Sequence, residues 1–416
     1  LNPIIKSDEY AISIDIGTTT VVINLFKGDS IDSINTVSEI NNQKKFGADV
    51  ISRINYSINN SVESVHNVII NQLNLMIGRL CSNTSINNKD IKHAVVTGNT
   101  TMLHFFSCLN PKNIAFAPFT PESLFGCFIE NNIGLDIASD GSIYIPPCVS
   151  AYVGADLVCS ILSSKMTEKK ESSFIVDIGT NGEMALFYNG FLKCCSTAAG
   201  PAFEGAGIDC GSPAVEGAIS NVYFDETSFS IKYETINNKL PSGICGSGII
   251  DAVSVFLKNG IIDATGKMLK EGHNFTNNIC VINNKLSFKF DDCDIFISQK
   301  DIRQIQLAKG AIAGGINTLL SESGINVRDI DRFYICGGFG TYLNLNSAEN
   351  IGLIPFGITN RTIILGNAAI SGASAIVLDN NNADKCKDVV DKCYCIELSA
   401  SSLFMEEYVK SMSFNL

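Results

Sequence analysis

The sequence predicts an α/β protein of two similar halves that share one phosphate-binding cleft. Three observations predict it. Residues 172–187 read SSFIVDIGTNGEMALF: a short apolar run of buried-strand type, then Asp-Ile-Gly-Thr-Asn-Gly, then a second apolar run from Met184. Residues 11–26 read AISIDIGTTTVVINLF, which repeats the order strand, Asp-Ile-Gly-Thr, strand. At 416 residues the chain is also too long for one compact core. The expected halves are residues 1–165, with the first hairpin, and 166–416, with the second.

Both hairpin tips carry chemistry. Glycines let backbone N–H groups approach an anion, and threonines add hydroxyl donors. An aspartate ending the first strand is placed to hold Mg²⁺, directly or through water. Asp15 with Gly17, Thr18, Thr19 and Thr20 forms one such set. Asp177 with Gly179, Thr180, Asn181 and Gly182 forms the other. Together they suit a nucleotide polyphosphate. The plainer reading makes each an ordinary tight turn, but both copies share the strand context as well as the letters.

Composition narrows the class. Hydrophobic content is 45% and charged content 17%, enough to bury a large core. The net charge of −12 argues against non-specific binding to nucleic acid or an anionic membrane. No apolar run approaches the roughly 18 residues of a membrane span, and no secretory signal opens the chain, so a cytoplasmic protein is expected. The first residue is Leu1, not Met, which suggests a fragment or an engineered chain. The 15 cysteines contain no C-x-x-C pair, and Cys148, Cys159, Cys245 and Cys336 read as small buried residues of a reducing compartment. Cys386, Cys393 and Cys395 could share a metal but lack an evident fourth ligand. The four histidines are too dispersed for a site.

In chain order, a third strand is expected over residues 31–39. Asp49 and Arg53, four apart, suit one helix face, which on a plain reading is solvated surface. Val62, Val65, Ile69, Leu73, Met76 and Leu80 recur at helical spacing, so residues 61–80 form an amphipathic helix. A strand over 91–96 runs through Thr97-Gly98-Asn99-Thr100-Thr101 into a helical stretch. That exit is either a site edge or a structural connection. Residues 110–141 read as loops. Small residues make 149–162 a closely packed helix, on which Asp156 either faces a site or, as is more common, is a surface carboxylate.

The second half opens near Glu171. After a strand over 191–196, the segment TAAGPAFEGAG at 197–207 suits wrapping a ribose, with Gly200 in the turn and Glu204 as hydroxyl acceptor. Strands follow over 218–233. Glycines at 243, 246 and 248 precede a helix and form either an anion loop or a tight helix start. Ser298 and Asp301 have capping-box spacing. Ile302, Ile305, Ala308, Ile312, Ile316 and Leu319 then mark one apolar helical face, with Lys309 off the stripe. A strand over 332–335 enters Cys336-Gly337-Gly338-Phe339-Gly340, where backbone can touch a flat ligand. Residues 363–373 are a further strand-to-helix junction, and the tail over 394–408 is a strand and a short helix.

With these motifs in order, the chain resembles the actin-like ATPase superfamily of acetate and sugar kinases, heat-shock chaperones and actin. The resemblance implies two ribonuclease-H-like halves with a nucleotide cleft between them. It makes 15–20 and 177–182 the phosphate motifs, 149–162 and 367–375 the connecting helices, and Gly337, Gly338, Phe339 and Gly340 the adenosine turn. It puts Gly200 and Glu204 in a nucleotide segment, and Gln306 and Lys309 where a chaperone helix flanks adenine. The runs FGADVISRI, VTGNTTMLH, PPCVSAYVGAD, DIGTNGE, GPAFEGA, GICGSGIID, QKDIRQIQLAKGAI, ICGGFG and GNAAISGAS together resemble a narrower family, the reductive activators of corrinoid proteins.

That narrower resemblance implies an ATPase that uses ATP and Mg²⁺, held by Asp15 and Asp177, to drive reduction of a Co(II) corrinoid protein of a methyltransferase system to Co(I). It implies a possible homodimer and an electron-donating ferredoxin-like domain or protein. Family members carry an N-terminal 2Fe–2S domain, a linker and a small middle domain ahead of the ATPase part. This sequence begins just before the first phosphate strand, so the cluster is expected on a domain outside this chain. A small-molecule kinase of the superfamily, an ATP-dependent activator of a radical dehydratase and an actin-type scaffold are the alternatives.

Overall fold

The computed structural model describes residues 8–28, 30–338 and 342–414. Up to residue 170 the elements are β1 (Tyr10–Ile16), β2 (Thr20–Lys27), β3 (Asn35–Ile40), α1 (Val50–Asn59), α2 (Val62–Thr84), β4 (Ile91–Gly98), α3 (Thr100–Phe106), β5 (Cys127–Glu130), β6 (Ser142–Ile145) and α4 (Ala155–Ser164). Their sheet runs β3-β2-β1-β4-β6-β5. β1 is antiparallel to β2 and parallel to β4, with Asp15 in register with Val22 on one side and Thr97 on the other. After Tyr10 every residue of β1 is buried, as a strand covered on both faces must be. The Ser61 hydroxyl caps α2, whose apolar stripe from Val65 to Leu80 lies in the core.

Beyond residue 170 come β7 (Ser173–Ile178), β8 (Gly182–Tyr188), β9 (Phe191–Thr197), β10 (Ala218–Asp225), β11 (Ser230–Thr235), β12 (Gly243–Ile244), α5 (Gly246–Lys258), β13 (Ile279–Ile282), β14 (Lys285–Lys289), β15 (Phe296–Ser298), α6 (Gln299–Glu322), β16 (Arg332–Cys336), α7 (Leu345–Asn350), β17 (Thr362–Gly366), α8 (Ala368–Leu378), α9 (Asn381–Lys392), β18 (Cys393–Cys395) and α10 (Ser402–Ser411). The second large sheet runs β17-β16-β7-β8-β9-β18, and two three-stranded sheets, β11-β10-β12 and β13-β14-β15, complete the set. Read from the third strand of each, β3-β2-β1-β4-β6 and β9-β8-β7-β16-β17 have one order, so the two ribonuclease-H-like halves are present as expected.

Contacts divide the chain into two compact units. One joins residues 1–170 with 187–194 and 367–396; the other joins 171–186, 195–366 and 397–416. The continuous division expected at 165/166 is therefore interleaved. α8 and α9 belong to the first unit because α8 packs on α4, β1 and β4, and α9 packs on α4.

Local differences have local causes. The third strand begins at Asn35 rather than residue 31, because a turn closed by Ser30 N–H on the Lys27 carbonyl delays it. The helix expected over 149–162 starts only at Ala155. Val149 and Ser150 both donate their N–H to the Val153 carbonyl, and that tight turn uses up the stretch before the Gly154 cap. Cys386 lies beside Cys159, whereas Cys393 and Cys395 lie beside Cys194, so the three suggested metal ligands do not converge. Among the described residues no helix is long and apolar enough to cross a membrane.

Candidate phosphate-binding site

In the first unit the β1–β2 turn is held rigidly from behind. Gly17 N–H donates to the Thr20 carbonyl at 2.9 Å, and a Cβ at Gly17 would stand 2.7 Å from that oxygen, so only glycine fits. The turn's carbonyls are all engaged by protein donors. Asn41 Nδ2 binds Gly17 O at 2.8 Å, Arg53 Nη2 binds Thr18 O at 2.6 Å, and Asn41 N–H binds Thr19 O at 2.8 Å. Tying these oxygens down removes the negative dipole ends that would repel a phosphate. Thr20 is exposed at the start of β2.

Two asparagines do the same double task here. Asn99 caps α3 by accepting from Met102 N–H at 2.9 Å, while its Nδ2 donates to Thr18 Oγ1 at 3.0 Å. Asn367 caps α8 by accepting from Ile370 N–H at 3.1 Å, while its Nδ2 donates to Asp15 Oδ2 at 2.9 Å. The start of α3 is thereby tied to Thr18, and the start of α8 to Asp15. A Cβ at Gly154 would meet Asn99 Cα at 2.5 Å, so α4 also begins hard against this corner.

Charge at the corner is unbalanced. Burial pushes the Asp15 carboxyl up to about 7; the Asn367 bond pulls it down and the Asp156 charge pushes it up again. Asp156, for which the sequence left a site-facing and a surface reading, keeps some accessible area, but surrounding atoms desolvate it and push it up to about 6. A divalent cation bound at Asp15 would offset the cost of desolvating its carboxylate. Arg53 is buried, not the solvated helix-face partner of Asp49. Its other bonds go to Gly47 O at 3.0 Å and Met102 Sδ at 3.4 Å, and burial pulls its guanidinium down to about 10. Asp49 instead caps α1.

In the second unit Asp177 lies in register with Cys336 of β16, near the end of β7. Gly337 has φ +100°, and a Cβ there would meet Ile178 O at 2.5 Å and Asp177 Oδ1 at 3.0 Å. The turn after β16 thus rests directly on the metal-ligand candidate. Gly338 is open, and Phe339 and Gly340 of the expected adenosine turn lie outside the described residues. Gly179 N–H closes the β7–β8 turn on Asn181 O at 3.0 Å. Thr180 Oγ1 donates to Glu204 Oε2 at 2.7 Å and Gly200 N–H donates to Thr180 O at 2.8 Å, so the segment at 200–204 is fastened to the β7–β8 turn. Gly182 answers to packing, because a Cβ there would lie 2.2 Å from Ile312 Cδ1.

Gln306 and Lys309 differ from expectation. Both are buried, and both are bound by the chain's own tail. Gln306 Nε2 donates to Met412 O at 2.9 Å and Thr265 O at 3.0 Å; Lys309 Nζ donates to Ser413 O and lies 5.3 Å over the Phe414 ring. The residues after α10, together with Thr265 and Arg303 at Gln306, take up their polar ends, which are not presented on an open adenine-binding face. Burial pulls the Lys309 ammonium down to about 8.

A cavity of about 480 Å³ in the second unit is lined by Ser220, Asn221, Glu234, Asp251, Tyr342 and Asn344 among others. The last two follow the expected adenosine turn in sequence. Asp251 is 1% exposed; its Oδ2 accepts from Val222 N–H at 3.3 Å, while Oδ1 has no hydrogen-bond partner among the described residues. Burial pushes this carboxyl up to about 6. Sequence reasoning missed Asn41, Arg53, Asn367 and Asp251. An Asn directly before a helix signals a cap, but not where its second nitrogen will point.

Comparison with known proteins settles the family. The model described as "C-terminal domain of RACo the ASKHA domain" matches residues 171–416, and "RACo middle region" matches residues 10–169. The chain belongs to the RACo family. The middle region that the resemblance placed ahead of this chain is therefore represented within it. The chain is 36% identical over 423 residues to the corrinoid activation enzyme RamQ of Eubacterium limosum, covering 97% of this chain and 70% of that protein. It is 26% identical to the reductase of the Co(II) methylated amine-specific corrinoid protein of Methanosarcina barkeri, covering 97% and 77%. A solved structure of a reductive activator for corrinoid, iron–sulfur protein is 36% identical with a TM-score of 0.90, covering 99% of this chain and 67% of that one. The actin-like fold is thus shared with a RACo-type activator.

Proposed function

We propose that this chain is the nucleotide-driven part of a reductive activator that returns an inactive Co(II) corrinoid protein to Co(I). The observation that carries the reading is 36% identity to a corrinoid activation enzyme along 97% of this chain. The turn after Asp15, whose carbonyls are taken up by protein donors, supports the reading of a phosphate ligand there.

On this reading ATP with Mg²⁺ is the ligand of the two turns, and the cytoplasm is the compartment. Mg²⁺ keeps several waters and takes one or two carboxylates plus substrate phosphates. This reading assigns those carboxylates to Asp15 and Asp177; no three His, Cys, Asp or Glu side chains among the described residues form a protein-only metal cage. When bound, the ion would offset phosphate charge. Asp15, oriented by Asn367, and Asp177, backed by Gly337, would position it. The pinned β1–β2 turn and the Gly179–Asn181 turn would receive phosphate oxygens, and Glu204 and Gly200 would stand by the ribose. The orphaned Asp251 Oδ1 would accept a donor from the nucleoside. ATP binding can favour the activating state only by its differential affinity for that state. Hydrolysis without the partner is expected to be slow.

The test mixes the chain with a Co(II) corrinoid protein and a low-potential electron donor and follows the cobalt absorption. Co(I) formation that requires both ATP and this chain is the predicted result. Co(I) formation at the same rate without ATP would contradict the proposal.

A further inference from the structure

A larger cavity, about 820 Å³, lies elsewhere in the second unit, and none of the nucleotide-site residues above lines it. Three segments build it: residues 267–271, residues 284–286 and the first turns of α6. Lys267, Lys270, Lys285, Lys300 and Arg303 converge on it against one carboxylate, Glu271. In a chain of net charge −12 this basin reverses the local sign. A concave set of like charges focuses potential outward.

The cations are poorly compensated. Lys285 is committed to both oxygens of Asp209, at 2.8 Å each. Arg303 Nη1 donates only to neutral acceptors, Thr265 O at 3.2 Å and Gln306 Oε1 at 2.7 Å. Lys267, Lys270 and Lys300 are exposed and make no contact ion pair among the described residues, with Asp263 and Asp209 acting on Lys267 and Lys300 through space. Met268, Leu269 and Leu286 give the basin an apolar floor.

The chemistry of the basin selects its ligand. A tightly held phosphate wants fixed donors, above all a free helix N-terminus. That of α6 is closed: Ser298 Oγ accepts from Asp301 N–H, and Asp301 Oδ2 accepts from Ser298 N–H at 2.9 Å, adding a negative charge. What remains is three lysines on flexible stems and one arginine. They offer a broad positive field in place of a rigid fork.

We propose that this basin docks an acidic patch of a protein partner, carboxylates surrounding one apolar side chain that meets the Met268, Leu269 and Leu286 floor. Resting on the function proposed above, the partner is the corrinoid protein itself.

The experiment measures affinity of the chain for the corrinoid protein at about 50 and about 300 mM salt, across which charge pairing is increasingly screened. It compares the unsubstituted chain, the triple variant Lys267→Glu/Lys270→Glu/Lys300→Glu, and the same three positions changed to Arg. The glutamate variant is expected to bind about tenfold more weakly at low salt, with a flattened salt dependence. The arginine variant keeps its affinity, and ATP binds all three alike. Equal partner affinity and equal salt dependence in the glutamate variant overturn the proposal. Pyrophosphate binding that is lost in that variant while partner affinity stands unchanged overturns it in favour of a small-anion site. No corrinoid-protein binding by the unsubstituted chain contradicts the function reading, and this docking with it.

Discussion

Buried polar side chains, not exposed ones, shape the site. Arg53 is the clearest case. Arg53→Met keeps most of the stem but leaves the Thr18 and Gly47 carbonyls without their donor. The expected cost is on the order of 3 kcal/mol by urea unfolding, together with weakened ATP binding. Asp49→Ala, one turn earlier, removes only a helix cap; it should cost about 1 kcal/mol and leave ATP affinity alone. Equal effects of the two changes on ATP binding would show that Arg53 does not shape the turn. Lys309 gives a pH signature. Its folded pKa is depressed to about 8 from 10.5, so between these values the unfolded chain binds more protons than the folded one. Stability should therefore rise with pH across that window, by at most about 3 kcal/mol. Lys309→Met should remove the rise, read as the difference between variant and parent unfolding curves from pH 8 to about 10. An identical pH slope in both would refute this account of Lys309.

At the level of elements, close packing decides what looks like ligand chemistry. Gly182 sits in a phosphate-motif sequence, yet its missing Cβ makes room for Ile312 of α6. Gly182→Ala should destabilise by about 1–3 kcal/mol. Adding Ile312→Val, which deletes the clashing Cδ1, should recover part of that loss. Additive losses in the double variant, measured by thermal unfolding, would contradict the packing explanation. The same distinction sets how far the sequence could be read. Short apolar runs expose β1 and β7, and the 3.6-residue period exposes α2 and α6, because burial imposes those patterns directly. The paired Asp-Ile-Gly-Thr turns expose both hairpin tips. The start of α4 was hidden, since alanines and glycines that permit a helix also permit the turn at 149–154. Asn99 and Asn367 could be suspected as caps, but their second contacts depend on strand register that no local pattern encodes. The burial of Lys309 arises from contacts with residues 413 and 414, about a hundred positions away, which helical spacing cannot foresee.

At the level of the whole molecule, a RACo-family chain carries two large sheets of matching strand order, and the proposed function rests on nucleotide binding to it. A ligand that binds the folded chain alone must stabilise it, by about 2.7 kcal/mol at a hundredfold excess over its Kd. ATP with Mg²⁺ should therefore raise the unfolding midpoint of this chain, and Asp15→Asn should diminish that rise. An unchanged midpoint at saturating ATP would remove the nucleotide from the account. The most direct test of the central claim is ATP hydrolysis by this chain, with and without a Co(II) corrinoid protein, in the parent and in Asp177→Ala. The account predicts slow hydrolysis alone, stimulation by the partner, and loss of that stimulation in the variant. Fast hydrolysis without the partner, or stimulation that survives Asp177→Ala, would contradict it.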